Sequence, residues 1–227
     1  MARERPTCDG SVVRIVAIAS SAALTAALAS GCGSSESSAD SSAVRTSREA
    51  AKALRSLVAV SPEATGWTWS AKPETRTASP QPFPFDRSEP SYAVQKELFD
   101  AYDAAGIRLS GTSSWWGARQ KASSFATLVS TAAGAESAMN AEHKFAQAWF
   151  PTFEQAAIRE IAASGLGERS WAVRSDRDDA SFVEIGWTRG NLVLAVYVSC
   201  YPCHADVADA ARRWAEAIDN MAKTFPS

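Results

Sequence analysis

Hydrophobic and polar positions along this chain follow two periods, and the switches between them predict its elements. Residues 47–60, SREAAKALRSLVAV, read as a helix with Ser47 as N-cap, ended by Ser61-Pro62. GWTWSAK (66–72) alternates as a strand does. PETRTASPQPFPF (73–85) is expected to be an extended loop, because Pro73, Pro80, Pro82 and Pro84 lack the N–H that a sheet ladder needs. Helical steps of three and four return at Tyr92, Gln95 or Lys96, Phe99 and Tyr102, and Gly106 stops that helix. Two strands, IRLSGTSSWW and SSFATLVST, should follow. A helix over AGAESAMNAEHKFAQAWF then has Met139, Phe145 and Trp149 on or near one face. Pro151, tolerated in a first helical turn, is expected to open a further helix, PTFEQAAIREIAA.

The last third has the clearest pattern. RSWAVRS, SFVEIGWT and NLVLAVYVS are strand-like, with Gly190-Asn191 as a tight turn between the last two. Nearly every residue from Leu192 to Val198 is apolar, which predicts a central strand covered on both faces. Val207, Ala211, Trp214, Ile218 and Met221 then trace one apolar face of a closing helix. Asp206 and Asp209 suit the positive end of its dipole, and Lys223 suits the other end. The sum is an α+β fold: a largely antiparallel sheet of about five to six strands packed by helices, in a single domain over residues 47–227.

Ahead of that domain the pattern loses its period. Arg3, Arg5 and Arg14 precede IVAIASSAALTAALA (15–29), an uncharged run too short to span a bilayer as a helix but suited to a signal peptide over residues 1–31. LASGC, ending at Cys32, resembles the lipobox of bacterial lipoproteins, in which small residues precede a Cys that is acylated, here with palmitate-type chains. The segment from Cys32 to residue 46 is rich in Ser and Gly and is expected to act as a flexible tether. Cleavage after ALA (27–29) would instead release a secreted protein, and a retained signal anchor is the third reading. Each route places the domain outside the cytoplasmic membrane, where disulfides persist. Without residues 1–31 the chain keeps 20 basic and 23 acidic side chains, with no basic cluster. A net charge near −3 of that kind argues against nucleic acid as a partner.

Several stretches of the domain carry a wider likeness. LRSLVAVSPEATGWTW, SFATLVSTAAGAESAM, SGLGERSWAVRS and VEIGWTRGNLVLAVYV, closed by the amphipathic helix, resemble a family of actinobacterial lipoproteins. That family is related to the extracellular sensor domains of membrane serine/threonine kinases. The resemblance implies a sensor-like domain that binds a small ligand or an envelope protein partner, without catalytic residues.

One stretch looks like chemistry. Cys200, Cys203 and His204 spell C-x-x-C-H, the spacing that attaches a c-type haem. A six-coordinate haem would need a second axial ligand, and a five-coordinate haem would not. Met221 lies 17 residues beyond His204 on the same predicted helix, about 26 Å away, and cannot reach the same iron. His143 and Met139 are the other possible ligands. A thiol-redox site would place the Cys pair at a helix N-terminus, but Asp206 and Asp209 oppose the thiolate there. Zinc could use Cys200, Cys203, His204 and His143, without the second close pair that such sites normally show. A local Cys200–Cys203 disulfide, stiffening the corner between the last strand and helix, is the expected state.

No nucleophilic triad is visible. Asp178-Asp179 sit in a polar turn, and GLGER (165–169) lacks a P-loop Lys-Ser/Thr. Of the eight tryptophans, Trp67 and Trp69 share a strand face, and Trp115 and Trp116 point to opposite ones. Core packing accounts for most of them, and Trp67, Trp69, Trp115 or Trp116 are candidates for the lining of a ligand cleft. The reading is a non-catalytic, sensor-like or ligand-binding domain without a cofactor, lipid-anchored through Cys32 at the outer face of the cytoplasmic membrane. The alternative is a membrane-tethered haem or thiol-redox protein using Cys200, Cys203 and His204.

Overall fold

The computed structural model describes residues 38–62, 68–77, 92–117, 119–153, 157–163, 165–177, 180–202 and 207–225. The expected signal peptide, Cys32, Trp67, Asp178, Asp179, Cys203, His204 and Asp206 lie outside the described residues. Among the described residues, four helices and seven strands follow one another as α1 (Ser38–Val58), β1 (Thr68–Thr77), α2 (Tyr92–Ala105), β2 (Leu109–Trp116), β3 (Gln120–Leu128), α3 (Ala132–Phe153), β4 (Ile158–Glu160), β5 (Arg169–Arg177), β6 (Ala180–Arg189), β7 (Leu192–Cys200) and α4 (Val207–Ala222). All strands form one antiparallel sheet in the order β1-β2-β3-β7-β6-β5-β4. After β3 the chain crosses through α3 to the far edge. It then walks back through β4, β5 and β6, so that β7 pairs with β3 from Gln120↔Cys200 to Leu128↔Leu192.

The fold is α+β as expected, and β7 is the middle strand of the seven, buried at every position. Its even-numbered residues, with Trp115 of β2 and Ile185 and Trp187 of β6, meet α1 and α4 in one core. Its Val193 and Tyr197, with Val173 and Phe182, meet α3 in a second core. The continuous apolar run therefore arises because each face of the strand has its own helical cover.

Three local expectations are corrected. Ser47 is not an N-cap, because α1 already begins at Ser38, within the stretch expected as tether. Strand β1 runs on through Pro73 to Thr77; it is an edge strand with a register shift between Ala71 and Glu74, the setting in which a sheet tolerates proline. Pro151 opens no new helix. It lies inside α3, and Ile158–Glu160 of the expected helix form the edge strand β4, which accounts for a seventh strand beyond the five or six foreseen. Pairing with β5 satisfies that backbone, a long-range effect that local propensity cannot register.

Side-chain hydrogen bonds pin α1 to the sheet. The Ser113 and Ser124 hydroxyls, 2.9 Å apart, both donate to the Val58 carbonyl, and the Trp214 indole donates to the Val60 carbonyl at 2.8 Å. These bonds satisfy carbonyls that the end of an α-helix leaves open. Gly167, at φ 49°, lies against β6, and a Cβ there would stand 1.8 Å from the Thr188 carbonyl oxygen. Gly167→Ala is expected to destabilise the domain by about 2 kcal/mol or more, from strain and clash together. A urea midpoint indistinguishable from wild type would refute this.

Candidate functional site

Helix α2 packs along α3, and its backbone makes no comparable approach to any strand. The space left between α2, α3 and the sheet is a cleft of about 290 Å³. Its floor is the sheet face opposite α1 and α4. Strand alternation brings Thr112 of β2, Phe125 and Thr127 of β3, Ala195 and Tyr197 of β7, and Glu184 of β6 to that face. The small side chain of Ala195, on the central strand, helps keep the space open. Leu98, Phe99 and Tyr102 of α2, Ile107 beyond it, and Glu142 and Phe145 of α3 form the walls and roof. At the rim, Arg76 and Glu74 of β1 pair at 3.0 Å.

Two carboxyl groups stand in this otherwise apolar and aromatic setting. Glu142 lies on the inner stripe of α3, one turn from Met139 and Ala146. Its Oε1 accepts the Tyr102 hydroxyl, while its Oε2 is buried without a hydrogen-bond partner. Burial pushes the Glu142 carboxyl up to about 7. Glu184 sits between Val183 and Ile185, whose side chains enter the opposite core. Its carboxyl is pushed up to about 8, first by burial and then by the Glu142 charge. The Thr112 hydroxyl is likewise buried without a partner. Such groups are uncommon in native interiors and mark places where an external partner can bind.

Neither glutamate was foreseen, although a signal existed: each is an acid at an inward position of an otherwise apolar stripe. Of the tryptophans proposed for a cleft, Trp115 and Trp116 do not line this one. Trp115 is buried in the core beneath α1, and Trp116 is 49% exposed at the end of β2, with Lys121 Nζ 4.7 Å from its ring centre. Trp69 lies on β1, paired in register with Trp115. Cys200 is buried as the last residue of β7, and Tyr201 beyond it is exposed. Met221 is 41% exposed on α4, off the face expected for it, while Asp219 is buried there instead.

His143 neighbours Glu142 in sequence but faces a different hollow. Its Nε2 lies 2.7 Å from Glu160 Oε1, which also accepts Gln147 Nε2 at 2.8 Å, and its ring stacks on Trp171 at 4.9 Å. The indole in turn covers Gly186, where a Cβ would stand 2.6 Å from the ring. This groove is larger, about 470 Å³, but shallow and polar. Among the described residues no three His, Cys, Asp or Glu side chains gather as a metal site requires, and no helix is long and apolar enough to cross a membrane.

No protein-family model matches the sequence, and no curated protein matches it significantly. Among solved structures, the extracellular domain of PknH from Mycobacterium tuberculosis shares the fold. Its TM-score is 0.52 at 12% identity, over 76% of this chain and 96% of that one.

Proposed function

We propose that this chain is an extracytoplasmic lipoprotein, anchored by Cys32, whose domain is a non-catalytic, sensor-like module that takes a small ligand in the cleft between α2, α3 and the sheet. The cleft carries the reading: a concave, largely apolar space with a few convergent polar groups is the usual form of a small-molecule site. The fold shared with the extracellular domain of PknH supports the same reading, as do the lipobox-like LASGC and the signal-peptide-like run before it. Cys200 is disulfide-bonded, which supports a Cys200–Cys203 bridge at the corner after β7 over a haem or dithiol role.

The test has two parts. Intact mass of the mature protein from its native envelope should show a lipid on Cys32, no haem, and two alkylation sites that appear only after reduction. A thermal-shift screen of small amphiphilic compounds should then give hits with the wild type that vanish in Ala195→Phe, which fills the cleft floor. Equal shifts in both proteins would sink the cleft as the binding site.

A further inference from the structure

We propose that the ligand of this cleft is an organic cation, an ammonium group on a short apolar body, held between the carboxylates of Glu142 and Glu184 and walled by aromatic rings. The inference rests on the ligand-cleft reading and specifies its chemistry.

The charges that face the two glutamates from each packed element leave a cation missing. Helix α2 contributes the Tyr102 hydroxyl, already donated to Glu142. Strands β2 and β3 contribute only hydroxyls and Phe125, and β7 contributes Ala195 and Tyr197. Strand β1 brings Glu74 and Arg76 to the rim, where they pair with each other. Lys96 and Lys144 lie on the outer surfaces of α2 and α3, paired with Asp100 and Glu97. Among the described residues no basic side chain forms an ion pair with Glu142 or Glu184. Two buried like charges without a counter-ion are costly, so the pair holds protons at neutral pH unless a cation enters.

The rest of the lining fits that cation. Phe99, Tyr102, Phe125, Phe145 and Tyr197 surround the acids, and aromatic faces attract ammonium groups most strongly where water is excluded. The unpartnered Glu142 Oε2 supplies an acceptor for an N–H donor. An anion would meet only like charge inside. A neutral alcohol would gain the apolar contact without the ion pair. The volume, at the small end for ligand sites, limits the apolar body to a short chain or single ring.

The experiment is calorimetric titration of the mature protein with n-hexylamine, n-hexanol and hexanoate, which share an apolar body and differ in charge. At about pH 8.5 the glutamates ionise while an alkylamine keeps its proton, so hexylamine should bind at least about ten-fold more tightly than either isostere. At about pH 6 both carboxyls must lose protons to take the cation, and its affinity should fall by about ten-fold or more. Glu142→Gln and Glu184→Gln, which preserve shape, should each cost about ten-fold at the higher pH and flatten that dependence. Hexanol binding as tightly as hexylamine, or hexanoate binding best, would overturn the cation and leave the cleft standing as a ligand site. If hexylamine binds with no loss in Ala195→Phe or in either Gln variant, the proposal falls, because the amine is held elsewhere. Failure of all three probes to bind overturns the cation and removes support from the cleft itself.

Discussion

Replacing Asp219 by alanine is expected to destabilise the domain by about 3 kcal/mol, the largest loss anticipated for any single polar side chain here. Asp219 is 3% exposed on α4 and gathers three donors: Trp187 Nε1 at 3.1 Å, Arg189 Nε at 3.2 Å and Arg189 Nη2 at 2.6 Å. Alanine would leave the indole N–H of a fully buried Trp187 unpaired and strip a guanidinium of its counter-ion. Arg189 retains Glu168 at 3.8 Å and partial access to water, which keeps the loss toward the lower end of the range for broken buried pairs. Asp219→Asn keeps acceptor oxygen but not charge and should lose roughly half as much. Arg189→Met in the Asp219→Ala background should recover part of the deficit, because the stranded charge is gone. Urea denaturation of the four proteins measures all of this. A loss under about 1 kcal/mol for Asp219→Ala would mean that the pair is merely superficial.

The second large effect runs with pH and reads out the cleft. Glu142 and Glu184 hold their protons in the folded state to about 7 and about 8, well above an ordinary carboxyl. Below about pH 4.3 both residues are protonated whether folded or not, and they add no cost. Above that value the unfolded chain releases protons that the folded domain retains, so stability declines as pH rises, until about pH 8, where the folded carboxyls have also ionised. The shift corresponds to a cost of roughly 5 kcal/mol at the alkaline end for Glu184, and its partial access to solvent lowers this to a few kcal/mol. Glu184→Gln removes it and also relieves Glu142 of a neighbouring charge. The variant should therefore be more stable than wild type at about pH 8.5 by roughly 2–4 kcal/mol, and nearly equal to it at about pH 4. For a domain of this size that is a rise in Tm of about 5–15 °C at alkaline pH. Parallel stability curves for wild type and variant would show that Glu184 ionises freely in solvent, and the electrostatic account of the cleft would be lost. A site that becomes unstable when emptied of its counter-ion is also one that a cation stabilises, so these curves bear directly on the ligand proposed.

The arrangement also explains why a domain would tolerate two acids in its interior. Burying a carboxyl without a partner works against folding, and only a gain elsewhere offsets it. The core beneath α1 and α4, with Trp187 and Trp214 fully buried, supplies much of that gain on the face away from the cleft, and the smaller core under α3 adds to it beside the cleft.

Periodicity alone determined most of the architecture. Period-two segments became strands, three- and four-residue steps became helices, and the unbroken apolar run from Leu192 to Val198 located the central strand, because a residue's face follows from local geometry. The Gly190-Asn191 turn was legible for the same reason, since β6 pairs with β7 as close as Arg189↔Leu192. What lies between distant segments was not legible. Strand β4 exists through β5, Asp219 is buried because Arg189 and Trp187 reach it, and Trp115 belongs to the core because α1 covers its face. The cleft itself depends on α2 lying along α3 and standing off the sheet, a packing choice that no window of residues contains. Glu142 and Glu184 are 42 residues apart, and only the crossover through α3 and the return along β6 bring them to one space. Their sequence neighbourhoods state that each is inward-facing; their chemistry arises from what else is, and is not, packed beside them.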